Sequence, residues 1–100
     1  MKLRNNRLLQ ILIVSNNMRA TIENEYKTKD YYIGVCILAY GAQLLRLEKI
    51  SEKIVVFVFA ISPTNADEII KKHWNRELIL PTRDIVDAIH ELKTRLYSGS

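Results

Sequence analysis

The run Lys53-Ile54-Val55-Val56-Phe57-Val58-Phe59-Ala60-Ile61 constrains the fold more than any other stretch of the chain. Its β-branched and aromatic residues, at strand length and between turn-forming residues, read as a strand. Successive side chains of a strand point to opposite faces. Ile54, Val56, Val58 and Ala60 therefore share one face, and Val55, Phe57, Phe59 and Ile61 share the other. Both sets are apolar, so both faces want cover. Just upstream, Gln43 to Lys49 sets Leu45 and Leu47 against Arg46 and Glu48, the pattern of a half-exposed strand. Ile50-Ser51-Glu52 turns the chain between them, and the pair is predicted to form an antiparallel hairpin.

Helices flank the hairpin. Thr28 is a suitable N-cap, Asp30 falls in the first turn, and Gly41 stands where a glycine ends a helix. The residues between them are apolar almost all round, which predicts a helix buried on most sides. Ser62-Pro63-Thr64 opens a second helix, capped by Ser62 or Thr64, that runs through Ile69, Ile70 and Trp74. Leu78-Ile79-Leu80 forms a short extended link to Pro81-Thr82. A last helix, 82–97, carries Ile85, Ile89, Leu92 and Leu96 as an apolar stripe widened by Val86. Arg83, Asp87, Glu91 and Arg95 form an i,i+4 ladder on its outer face. The 100 residues suit one domain. The reading is an α+β helix–β-hairpin–helix–helix domain over residues 25–98, with the helices packed on one face of a short antiparallel sheet. Residues 1–24 form a basic N-terminal arm or an extra strand or helix, and 99–100 a tail.

Helices on one side leave the other side of the sheet to the N-terminal segment, a second subunit or a ligand. An uncovered apolar face is a liability for a free monomer. A homodimer through the sheet is therefore expected, with Val55, Phe57, Phe59 and Ile61 as its interface. The same face is the candidate surface for a protein partner.

Charge is unevenly spread. Of 15 basic residues, Lys2, Arg4, Arg7 and Arg19 lie in the first twenty positions with no acid, and the remaining eleven balance 11 acids. A basic arm of this kind reads as a phosphate contact for DNA or RNA. Lys27 and Lys29, interleaved with Tyr26, Tyr31 and Tyr32, extend that candidate surface. The tyrosines fit equally a packed role with wet hydroxyls. The start imitates a signal peptide, but Gln10 interrupts the run Leu8 to Val14 and no small-residue cleavage site follows. Met18 is an alternative start. No run reaches the ~18 apolar residues of a membrane span. With the single cysteine Cys36 no intrachain disulfide forms, and a cytoplasmic location without membrane attachment is expected.

No catalytic set emerges, so the expected activity is non-enzymatic, with no cofactor and no metal. Phe57-Val58-Phe59 resembles the end of an RNA-recognition strand, but Lys53-Ile54-Val55-Val56 replaces the basic-glycine-aromatic lead-in. His73, His90 and Cys36 lack the paired spacing of a zinc site. A Cys/His nucleophilic pair would require a tertiary coincidence. Asp84, Asp87 and Glu91 have arginines within helical reach and read as an ion-pair face. The three glycines are scattered and make no phosphate loop.

Certain motifs recur together: Tyr26-Lys27-Thr28-Lys29-Asp30 before a helix ending at Gly41, Val56-Phe57-Val58-Phe59, and Trp74-Asn75-Arg76-Glu77-Leu78. Asp84-Ile85-Val86-Asp87-Ala88 and Glu91-Leu92-Lys93-Thr94-Arg95-Leu96-Tyr97 complete the set. From Glu25 to Ser98 the chain resembles a short, uncharacterised bacterial and phage domain family. That resemblance carries no catalytic residues. It implies an accessory protein of a phage or mobile element, for which DNA, RNA or protein partners are the expectation.

Overall fold

The computed structural model describes residues 24–98. Its elements are β1 (Tyr26–Thr28), α1 (Tyr31–Tyr40), β2 (Gln43–Lys49), β3 (Val55–Ala60), α2 (Pro63–Trp74) and α3 (Thr82–Ser98). The strands form an antiparallel sheet in the order β1-β3-β2. The α+β class, the hairpin and all three helices agree with the sequence reading. β1 is an addition: at three residues it is too short to show a period, and only pairing with β3 makes it a strand.

Local chemistry sets the helix ends. Asp30, rather than Thr28, is the N-cap of α1: its carboxylate accepts from the Tyr32 and Ile33 backbone N–H groups. Thr28 instead ends β1, and its hydroxyl accepts from the Asp30 N–H at 3.1 Å. Gly41 closes α1 at φ 126°, a conformation that side chains with a Cβ disfavour, and its N–H returns to the last turn. Ser62 caps α2 through the Asn65 N–H at 3.1 Å, with Pro63 just inside the start.

The helices cover the face of β3 that carries Phe57 and Phe59. These rings are 2% and 0% exposed and lie in one core with Ile33, Ile37, Ala66, Ile69, Ala88 and Leu92. α1 packs closely above them at Gly34, where a Cβ would stand in ordinary contact with Leu92, Phe59 and Phe57 at 3.4, 3.5 and 3.7 Å. This corrects the expected interface. Phe57 and Phe59 are sealed under helices, Val55 and Ile61 are half-buried beside them, and the face they share is not the open one.

A second correction concerns β2. The register jumps between Leu44 and Arg46, so Leu44 sits opposite Phe59 and Leu47 opposite Phe57. A bulge of this kind inserts one residue and resets the alternation. Leu44, not Leu45, joins Leu47 on the core side; Leu45 remains 36% exposed.

The other face of the sheet is closed differently. Val58 is paired in register with Lys27 on one side and Arg46 on the other, and it is fully buried. Lys27 Nζ reaches across β3 to Glu48 Oε1 at 3.2 Å. Arg46 holds Glu48 at 3.0 Å and grips both carboxylate oxygens of Glu25, at 3.2 and 3.3 Å. The guanidinium fork suits such two-point binding. Four charged side chains thus form a lattice over a strand whose own sequence shows only apolar residues. Glu48 is held below the usual carboxylate range, first by its hydrogen bond to Lys27 and then by that to Arg46.

Candidate functional site: an apolar groove with a thiol–imidazole pair

Among the described residues, an open apolar surface lies on the far side of α1 from the sheet. Tyr32, Val35 and Cys36 of α1 form one wall of a groove of about 580 Å³. The end of α2 supplies His73 and Trp74. Leu78 and Leu80, from the link after α2, and Ile85 and Ile89 of α3 complete it. This volume lies in the range of small-ligand pockets, roughly 300–1,000 Å³, which are likewise mostly apolar with a few placed polar groups.

The groove follows from three local facts. The apolar character of α1 extends round its circumference, so covering the sheet leaves a second apolar side unused. α2 ends at Trp74, where Arg76 takes a positive φ of 63° and the Glu77 and Leu78 N–H groups return to the Lys72 carbonyl. That turn sends Leu78-Ile79-Leu80 along the open side without regular structure. α3 then closes against α1, held in part by the Tyr31 hydroxyl donating to the Ile89 carbonyl at 3.2 Å.

Two rings of the groove are largely solvent-facing: Trp74 and Tyr32 are each 68% exposed. Trp74 tilts against His73, with ring centroids 4.9 Å apart. Tyr32 meets Tyr31 edge-on at 5.1 Å. Of the tyrosines first paired with the basic residues, Tyr26 and Tyr31 pack against the core and Tyr32 lines the groove.

The polar feature of the groove is the pair Cys36 and His73. Cys36 Sγ lies 3.5 Å from His73 Nδ1, a hydrogen-bonding distance for sulfur. The two residues are 37 positions apart in sequence, and only the packing of α1 against α2 brings them together. Burial pushes the Cys36 thiol up, and the Asp30 carboxylate adds to this.

The other candidate residues divide. Lys2, Arg4, Arg7 and Arg19, with the Leu8–Val14 run, lie outside the described residues. Lys27 belongs to the lattice, where Glu48 neutralises it. Lys29 is exposed in the β1–α1 connection. Arg83 pairs with Asp87 at 3.4 Å and Arg95 with Glu91 at 3.8 Å, as the ladder on α3 implied. Among the described residues no group of three or more His, Cys, Asp or Glu side chains is placed to hold a metal. Nor is any described helix long and apolar enough to cross a membrane.

The groove was missed in sequence, although one signal pointed to it. Leu78-Ile79-Leu80 is apolar but belongs to no element that would bury it, and it follows directly on a histidine–tryptophan pair. Leu78 and Leu80 line the groove, whereas Ile79 is 89% exposed.

No curated protein and no solved structure matches the chain. A family model does match, over residues 23–98, which takes in every described element from β1 to α3. The chain therefore belongs to the family of the domain of unknown function DUF5659.

Proposed function

We propose that this domain is a non-enzymatic interaction module, and that its working surface is the groove between α1, α2 and α3, which takes an apolar segment of a partner protein. The observation that carries this reading is the exposure of Trp74 and Tyr32 on the rim of an apolar groove. Tryptophan and tyrosine are enriched among the residues that dominate binding energy at protein interfaces. The neighbouring charge suggests the partner's character. Lys71, Lys72 and Arg76 stand against Glu77 alone around the end of α2, so an apolar segment flanked by acidic residues fits best.

The charged lattice weakens the case for a dimer through the sheet, because the second face no longer offers a continuous apolar surface. The case for nucleic acid rests on the sequence of the arm. In the accessory setting that the family resemblance implies, a protein partner is the reading supported by geometry.

Trp74 is the only tryptophan, so its fluorescence reports on the groove directly. Helical peptides with one apolar face and acidic flanks, selected from a display library, should shift its emission to shorter wavelength. That shift should vanish in Tyr32→Glu, which puts a charge at an exposed position of the groove. Peptides that bind Tyr32→Glu as tightly as the unaltered chain would sink the proposal. A strongly salt-dependent response to a mixed DNA and RNA pool, with none to peptides, would transfer the function to the arm.

A further inference from the structure

We propose that Cys36 is a covalent attachment site for a fatty acyl group, taken from an acyl thioester whose chain lies in the apolar groove and whose transfer His73 assists as the proton carrier. Three observations meet at one place: a thiol, an imidazole 3.5 Å from its sulfur, and an apolar groove of about 580 Å³ lined by both. The thiol comes from α1 and the imidazole from α2, so neither element alone makes the site.

The chemistry is balanced without an oxidant or a metal. Cys36 Sγ attacks the acyl carbonyl carbon as His73 Nδ1 accepts the thiol proton. A new S–C bond forms, the original thioester C–S bond breaks, and His73 returns the proton to the departing thiolate. One thioester is exchanged for another. The resting thiol is protonated because burial and the Asp30 carboxylate oppose its ionisation, so a hydrogen-bonded base is needed for attack. The groove supplies selectivity. Val35, Leu78, Ile85 and Ile89 offer an acyl chain the surface it needs, and each methylene buried adds roughly fourfold to affinity.

The proposal is independent of the partner reading, since it uses only the thiol, the imidazole and the groove. It bears on that reading in one respect: an attached chain and a partner segment would compete for the same space.

The full chain is incubated with acetyl-, octanoyl- or decanoyl-coenzyme A and followed by intact mass. A single adduct is expected, absent in Cys36→Ser and released by neutral hydroxylamine as a thioester. Its rate should rise at least tenfold from acetyl to octanoyl, on the order of what a few buried methylenes give. His73→Gln should slow acylation by about a hundredfold, the lower end of general-base effects, while circular dichroism shows the fold intact. Octanoyl transfer no faster than acetyl transfer would overturn the proposal, as would an unchanged rate in His73→Gln. No adduct from any of the three would do the same.

Discussion

Helix α1 separates two apolar regions of the same molecule. Towards the sheet, Gly34 and Ile37 press onto Phe57 and Phe59 and almost nothing is exposed. Towards the groove, Tyr32 and Trp74 keep two thirds of their surface in water. Both regions are built from the same kinds of residue. They differ in the shape of what faces them: a broad sheet on one side, a helix end and an irregular link on the other. Closing an apolar surface needs a complementary surface of similar extent, and the described residues supply one only on the sheet side. The sealed side is the source of stability, and the open side is where recognition is proposed.

The sharpest way to break this comparison is to damage each side in turn. Phe59→Ala leaves a cavity under α1 and should cost about 3–5 kcal/mol by urea unfolding, enough to unfold much of the population of a small domain. A loss below about 1 kcal/mol would show that the sheet side is not the sealed one. Next in size is the cap that starts α1. Asp30→Ala removes an acceptor for two backbone N–H groups and should cost about 0.5–2 kcal/mol in the same assay. Gly34→Ala tests how close the sealed side is packed. The added methyl falls at ordinary van der Waals distance, so the helix gain should win, by about 0.5–1 kcal/mol of added stability. Destabilisation would mean that the Leu92 and Phe59 side chains cannot yield by the small amount required.

On the open side, Trp74→Ala should change stability by less than about 0.5 kcal/mol, as exposed positions usually do, while abolishing peptide binding. A large stability loss would reclassify the groove as core. The lattice on the far sheet face is read best by titration. Glu48 has a depressed pKa in the folded state, so its contribution is present above the ordinary carboxylate range and is lost as pH falls through the folded value. In Lys27→Met the Glu48 pKa should rise towards the ordinary range, as followed by NMR. An unmoved titration would mean that Arg46 alone holds it.

Much of the fold was legible because it depends on local signals. Gly41, Ser62 and Pro63 mark helix ends by their own backbone and side-chain chemistry, and β3 is marked by composition. Less was legible where an element exists only through its neighbour. β1 is three residues, and nothing in Tyr26-Lys27-Thr28 demands a strand until β3 offers hydrogen bonds. The bulge at Leu45 shifts which leucines face inwards, and a strict two-residue period cannot anticipate it.

The candidate site was least legible of all. Alternation along β3 correctly divided Phe57 and Phe59 from Val56 and Val58, but alternation assigns no face to the helices. That choice belongs to the flanking strands, which place Leu44 and Leu47 on one side and Arg46, Glu48 and Lys27 on the other. Nor does any spacing in the sequence join Cys36 to His73.

The sequence by itself determined every element of the described residues except β1, their order and most of their ends, because propensity, capping and turn chemistry act over a few residues. Only the tertiary structure decided which sheet face is sealed, which lysine is neutralised, and that a thiol and an imidazole meet beside an open groove. Those outcomes depend on contacts between residues 20 to 60 positions apart, such as Lys27 with Glu48, Cys36 with His73 and Tyr31 with Ile89. Such contacts form through packing geometry, and a local pattern carries no record of them.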